Sequence, residues 1–414
     1  MKRILYLLGF LVIIAAMVGI GYFFRSRSTS NTNSGGDIFS IGTLPTSPNP
    51  PVGGSGENSG GQSTPPGGAP PPGGAITSLP QNIRLVVDAE VAAFFVKDEK
   101  NVVFVGPLGK IEALRNGARE VLSGNSIDDM IRADFSADGT KVLVASGSHS
   151  SPSWSVFDVA GKSWQALPVG VKEATWAPQG SRIAYIFING SVSELRTVDM
   201  RVKTLSPQTA SSLSVEDARL RWVSGETLII ESRGSALVRG SVIAYDMATH
   251  TVKPVIMDQL GVRSVWGAGG THSIMWQSGA QGRGGSLALM DGGGTPLYGI
   301  SFMTLPEKCA FWNAPRTASS STTSKGPPST EIILCGVPRD ASTFASHALP
   351  DDYETGALIT SDDIYKIDVA TGDIKTVFNE GIYRFDVKKI TPMSGVAYFV
   401  NGADNKLYAL KVED

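Results

Sequence analysis

Cysteine and histidine, on which redox and metal chemistry draw most, are nearly missing from this chain, at 2 and 4 in 414 residues. No Cys-x-x-Cys pair occurs, and His149, His250, His272 and His347 fall in separate expected turns without metal-ligand spacing. A Gly-x-Ser-x-Gly elbow, a phosphate-binding glycine loop and a His-Glu-x-x-His helix are missing as well. The sequence therefore offers no catalytic residue, no metal ligand and no reason to expect a cofactor. An excess of one charge is also lacking: a net charge of −2 provides neither a basic surface for nucleic acid nor an acidic solvating tail. Beyond residue 80 no stretch keeps a convincing helical period.

What is present begins with an uncharged apolar run from Ile4 to Phe24, after Met1-Lys2-Arg3. As a helix rising about 1.5 Å per residue it would be about 30 Å long, the thickness of a bilayer's hydrocarbon core. A cleaved secretory signal is the competing reading, but the run ends in Tyr22-Phe23-Phe24, bulky where a peptidase needs small side chains. No cysteine follows to carry a lipid. Residues 1–25 are thus expected to be a single-pass signal-anchor, with residues 4–24 in the membrane. Lys2 and Arg3 stand on one side and Arg25 and Arg27 on the other, so charge sets the orientation weakly. The long polar region that follows favours an extracytoplasmic C-terminal part. Residues 26–80 are rich in Pro, Gly and Ser, with almost nothing apolar to bury, and read as a disordered linker. About 55 such residues span roughly 40 Å as a random coil, enough to hold a head clear of a lipid surface.

From residue 81 to 414 the chain changes to runs of four to eight β-formers between turn residues. A unit of aromatic, Gly-ending turn and apolar strand recurs. It appears as Phe135-Ser-Ala-Asp-Gly139 before Lys-Val-Leu-Val-Ala, and as Trp176-Ala-Pro-Gln-Gly180 before Ser-Arg-Ile-Ala-Tyr-Ile. Looser copies start at Trp222 and Trp266. A strand ending in Asp and a short turn follows each copy, at Asp158, Asp199, Asp246 and Asp291, and a further one ends at Asp368. An Asp there can accept from its own backbone two residues on. Two hairpins every 40–45 residues is the period of a propeller blade. The expected fold is all-β, a seven-bladed β-propeller, with six or eight blades as alternatives. Blades are placed near 90–125, 127–170, 171–210, 214–258, 261–303, 304–380 and 383–414. The last has three strands, and the unassigned run Ile83-Arg-Leu-Val-Val-Asp88 would complete it, closing the ring and removing an open edge.

The aromatic–Ser/Ala–x–x–Gly hairpin with its later Asp turn resembles the TolB-type propeller repeat, whose usual form is Trp-Ser-Pro-Asp-Gly. The resemblance covers about residues 84–414 and is nearest at Phe135 and Trp176. It implies a propeller. TolB itself carries an additional α/β domain, for which this chain has no matching segment, so the implication stops at the propeller.

Three groups of residues stand out. Cys309 and Cys335 lie on strands expected to neighbour each other. If Trp312 faces about residue 332, they sit opposite one another within disulfide reach, the alternative being two buried thiols that never meet. Arg132, Lys172, Arg219, Arg263 and Lys308 recur just before the innermost-strand aromatics, a position repeated around the axis. They would ring one mouth of the channel and attract an anion, unless Asp128, Glu173, Asp217 and Glu307 neutralise them. Finally, an insertion from Arg339 to Asp363, carrying Asp351, Asp352 and Tyr353, should emerge on that same face, as a cation or ligand site or as a solvated loop over the propeller. Together these features suggest a membrane-anchored, extracytoplasmic scaffold that binds a protein or an envelope polymer and not nucleic acid. The competing reading is an envelope polysaccharide lyase or glycosidase working with channel-mouth carboxylates.

Overall fold

The computed structural model describes residues 79–202, 205–213, 215, 217–314 and 330–412. The expected anchor, the linker up to residue 78 and the Ser/Thr-rich insertion 315–329 lie outside them. Among the described residues no helix is long and apolar enough to cross a membrane.

Seven four-stranded antiparallel sheets form the fold. Their innermost strands are, in order, Ala93–Asp98, Met130–Phe135, Val171–Trp176, Ala218–Trp222, Arg263–Trp266, Cys309–Ala314 and Val387–Met393, which number the blades 1 to 7. The second strand of a blade is covered on both faces by neighbouring blades. It therefore reads as an unbroken buried run, at 142–145, 183–186, 228–230, 333–335 and 397–400. The fourth strands, such as Ala118–Val121 and Ser163–Ala166, are short, polar and largely exposed, which blunts them as pairing edges. Trp176, Trp222 and Trp266 end successive innermost strands and Trp312 lies near the end of the next, each at most 8% exposed.

Both recurrent turns have a local cause. In the first hairpin Asp138 accepts from the Ser136 hydroxyl (2.7 Å) and the Thr140 amide (3.1 Å). Gly139 takes φ +67° there, and a Cβ on it would sit 2.2 Å from the Phe95 ring of blade 1. The turn and the packing of two blades thus both require glycine. In the second, the Asp accepts from backbone amides two or three residues on: Gly161 at Asp158, Arg201 at Asp199, Ala248 at Asp246, Gly293 at Asp291 and Ala370 at Asp368, all within 2.6–2.9 Å.

Ring closure follows the sequence expectation. Ile83–Val87 is the outermost strand of blade 7, antiparallel to Leu407–Lys411, with Ile83 opposite Leu410 and Leu85 opposite Tyr408. Cys309 lies opposite Cys335 and Trp312 opposite Ile332, and the two cysteines form a disulfide with Cα atoms 4.1 Å apart. This spacing is that of a non-hydrogen-bonded antiparallel pair. The bridge closes a loop whose ends are 26 residues apart, which the chain-entropy model values at about 3–4 kcal/mol. Replacing both cysteines with serine should lower the urea midpoint by that equivalent, and reductant should do the same to the wild type. Coinciding urea curves for the oxidised protein, the reduced protein and the double variant would show that the bond does not stabilise the fold.

Candidate functional site

Residues of blades 2 to 7 line a channel of about 860 Å³ whose wall mixes seven basic and five acidic side chains with Trp154, Trp266 and Phe311. Of the five basic residues singled out in the sequence, Arg132, Lys172 and Arg219 line this channel, whereas Arg263 and Lys308 are buried rather than part of an open ring. Arg132 bonds to Asp134 and to Glu173 of the next blade. Burial works against its charge, but these two carboxylates outweigh it and raise its pKa. Lys172 donates to the Ser150 carbonyl (2.5 Å). Arg219 and Arg263 share the Glu354 carboxylate, at 2.7 and 2.8 Å, with Glu307 at 3.5 and 3.6 Å. Of the expected neutralising partners, Glu173 and Glu307 serve the ring, while Asp217 pairs with Arg233 at 2.9 Å.

Glu354 comes from the insertion, which is a folded lid over this channel. The lid carries two short helices, α1 (Ala341–Ser346) and α2 (Asp351–Glu354), too brief to leave a helical period in the sequence. Asp340 caps α1, accepting from the Thr343 amide (2.9 Å) and from two hydroxyls, and these bonds hold its pKa at about 2. Asp351 accepts from the Ala236 amide (2.9 Å) of blade 4. Asp352 is held by His347 (2.8 Å) and the Ala348 amide (3.0 Å), chiefly the former lowering its pKa. Asp351 thus fastens the lid to blade 4, and Asp352 braces the lid internally. Arg283 of blade 5 bonds the Ser346 carbonyl, and the Ser278 hydroxyl that of Leu349. Burial raises the Glu354 pKa, but Arg263 and Arg219 outweigh it, so Glu354 remains an acid of lowered pKa.

Beneath the lid Lys308 is wholly buried, and its ammonium is 2.6 Å from both Asp362 and Asp386 and 2.8 Å from the Thr360 hydroxyl. Tyr353, 7% exposed, donates to Asp386 (3.2 Å) and lays its ring 4.7 Å from that ammonium. Burial, then the adjacent Asp386 and Asp362 charges, raise the Tyr353 pKa. Lys308 is therefore closed off from the channel's solvent, Tyr353 lines the channel with only a small part of its surface exposed, and the cluster ties the lid to blades 6 and 7.

Deeper in the channel, Glu173 receives Arg233 (2.9 Å) in addition to Arg132. Glu231, 6% exposed, accepts from the Ser264 hydroxyl (2.5 Å), and burial raises its pKa. Arg221, on the innermost strand of blade 4, lines the channel two residues beyond Arg219, and the sequence reading did not single it out. Its only signal there was strand alternation, with Ala218, Leu220 and Trp222 turned into the cluster shared with blade 3. Lys389 also lines the channel and was likewise not singled out. Among the described residues no three His, Cys, Asp or Glu side chains are grouped to hold a metal ion.

No family model and no curated protein matches this chain. Among solved structures it is similar to TolB from Acinetobacter baumannii at 18% identity over 50% of this chain and 53% of that one, TM-score 0.37. The tricorn protease matches at 13% identity over 80% and 34%, TM-score 0.46. An oligogalacturonate lyase in complex with manganese matches at 10% identity over 80% and 91%, TM-score 0.48. The chain thus spans about half of the TolB structure and a third of the tricorn protease. At these identities the likeness is one of fold and extends to neither ligand nor activity, and the propeller itself rests on the seven-sheet topology.

Proposed function

We propose that this protein is a membrane-tethered binding scaffold whose propeller, held outside the cytoplasm, receives a partner's segment or an envelope polymer in its channel. The observation that carries the reading is the channel: about 860 Å³, walled by charged and aromatic side chains and of the size of a ligand pocket. The lid's polar contacts fall on blades 4 to 7, while His149, Pro152 and Lys172 of blades 2 and 3 line the channel away from them. The apolar run 4–24 and the Pro/Gly/Ser-rich linker support the tether. The Cys309–Cys335 disulfide fits an oxidising compartment and so supports the exterior placement.

The test is photo-crosslinking in intact cells, from a reactive residue at His149 and from a control at Val252, which is exposed on the outer strand of blade 4. One partner captured stoichiometrically from His149 and not from Val252 is the expected result. Equal capture from both positions, or protection of the head from protease added outside, would overturn the reading. The enzymatic alternative has Glu231 in its favour, because a buried carboxyl of raised pKa suits a general acid. Turnover of an envelope glycan that is abolished by Glu231→Gln would establish that alternative instead.

A further inference from the structure

We propose that Arg221, with Lys389 and Arg132, forms an oxyanion site inside the channel that takes a carboxylate or phosphate group. The site deepens the binding reading above by naming the chemistry that the channel selects.

Arg219 and Arg221 alternate out of the apolar face of their strand, but their fates differ. Arg219 is neutralised by the lid's Glu354, whereas among the described residues Arg221 has neither a hydrogen-bond nor an ion-pair partner. It is exposed to the channel yet crowded by the wall, and this desolvation lowers its pKa; the Glu231 charge opposes the drop and the Arg132 charge adds to it. Lys389 reaches the channel by a different route. The register of blade 7's innermost strand slips between Lys388 and Thr391, and Lys389 sits in that bulge at φ +50°, a left-handed conformation that lysine seldom adopts. Its ammonium donates to the Ala92 carbonyl, a neutral acceptor. Burial again lowers its pKa; the Asp134 charge opposes that shift, and Arg132 adds to it.

Arg132, Arg221 and Lys389 of blades 2, 4 and 7 thus line one channel, the Arg132 charge acts on each of the other two, and of the three only Arg132 is ion-paired with carboxylates. Holding unpaired cations in a poorly solvated wall costs folding free energy. A residue in a strained conformation and a guanidinium without a direct ion-pair partner, both lining one cavity, make an arrangement that binding would relieve. A guanidinium fork and an ammonium together match an oxyanion, which the fork engages through two parallel hydrogen bonds.

Calorimetric titration of the full chain in detergent, at low chloride, with citrate in one arm and inorganic phosphate in the other, tests the site. The expected result is saturable one-to-one binding of at least one anion, weakened tenfold or more by Arg221→Gln and by Lys389→Gln. The preferred anion distinguishes a carboxylate from a phosphate ligand. Because Arg221 has no partner to lose, Arg221→Gln without ligand should melt at or above the wild-type temperature. Two results would overturn the site: no saturable binding of either anion by well-folded wild type, or binding left unchanged by both substitutions. A lower melting temperature for unliganded Arg221→Gln would do so too, by exposing a structural role. Crosslinking from His149 without anion binding removes this site and leaves the scaffold reading intact. Anion binding without a captured partner does the reverse.

Discussion

Deleting residues 83–87 should abolish the folded head and not merely trim it. The strand supplies the outer edge of blade 7, with ladder pairs from Ile83–Leu410 to Val87–Leu407 and an added bond from the Lys411 amide to the Asn82 carbonyl (2.8 Å). Ile83 and Val87 are each 4% exposed and sit in different clusters, one shared with blade 6 and one with blade 1. Burying two such side chains is worth roughly 1.5–3 kcal/mol each. Several ladder hydrogen bonds at about 1 kcal/mol apiece bring the loss to the scale of a domain's whole stability. The deletion also exposes Leu407–Lys411 as a bare edge, which invites pairing between molecules. Size-exclusion chromatography and thermal melting of the deletion protein should show aggregated material without a cooperative transition. A monomer melting within a few degrees of wild type would mean that the ring does not depend on this closure. Leu85→Ser is the control: Leu85 is 37% exposed, so the change should leave the melt nearly unaltered.

That closing strand was legible in the sequence because it is a question of count. Six blades had four strands, the seventh had three, and one β-forming run was left over. The Asp turns and the Gly139 hairpin were legible because their hydrogen bonds span two to five residues. The disulfide could be placed because antiparallel register is set by one correctly paired position, Trp312 with Ile332. Other features depended on closure itself. Glu354 meets Arg219 and Arg263 across 135 and 91 residues, and Lys308 meets Asp386 across 78. The spacing of the basic residues suggested a ring at one mouth, but nothing in it could show that the lid's own carboxylate would be seated on Arg219 and Arg263. Arg221 reads as one more strand charge until blade closure encloses it.

Lys308→Met should destabilise the protein by about 3–5 kcal/mol, the cost of stripping the cation from a buried ion cluster. Its ammonium is the hub of three elements: Asp362 opens the third strand of blade 6, Asp386 precedes the innermost strand of blade 7, and Thr360 belongs to the lid. Asp362 also accepts from the Val387 amide (2.8 Å), and Lys388, 3.4 Å from Asp386, is the remaining cation. Burial already raises the Asp362 pKa, and against burial it is Lys308, then Lys388, that holds the Asp386 pKa down. Without Lys308 both carboxyls should therefore titrate above their unfolded values in the folded state. A folded state that binds protons more tightly than the unfolded chain gains stability as pH falls, so the variant should lose less at pH 5 than at pH 7.5. In the wild type, Asp386 behaves the opposite way. Its depressed pKa contributes stability above the unfolded carboxylate value and loses it as pH falls through the folded one, which narrows the gap in acid further. Urea denaturation of both proteins across that pH range measures the gap directly. A gap independent of pH would mean that Lys308 acts through packing alone. With a gap that narrows in acid, adding Asp362→Asn and Asp386→Asn to Lys308→Met should recover most of the loss, because the penalty lies in the orphaned charges and not in the missing methylene contacts.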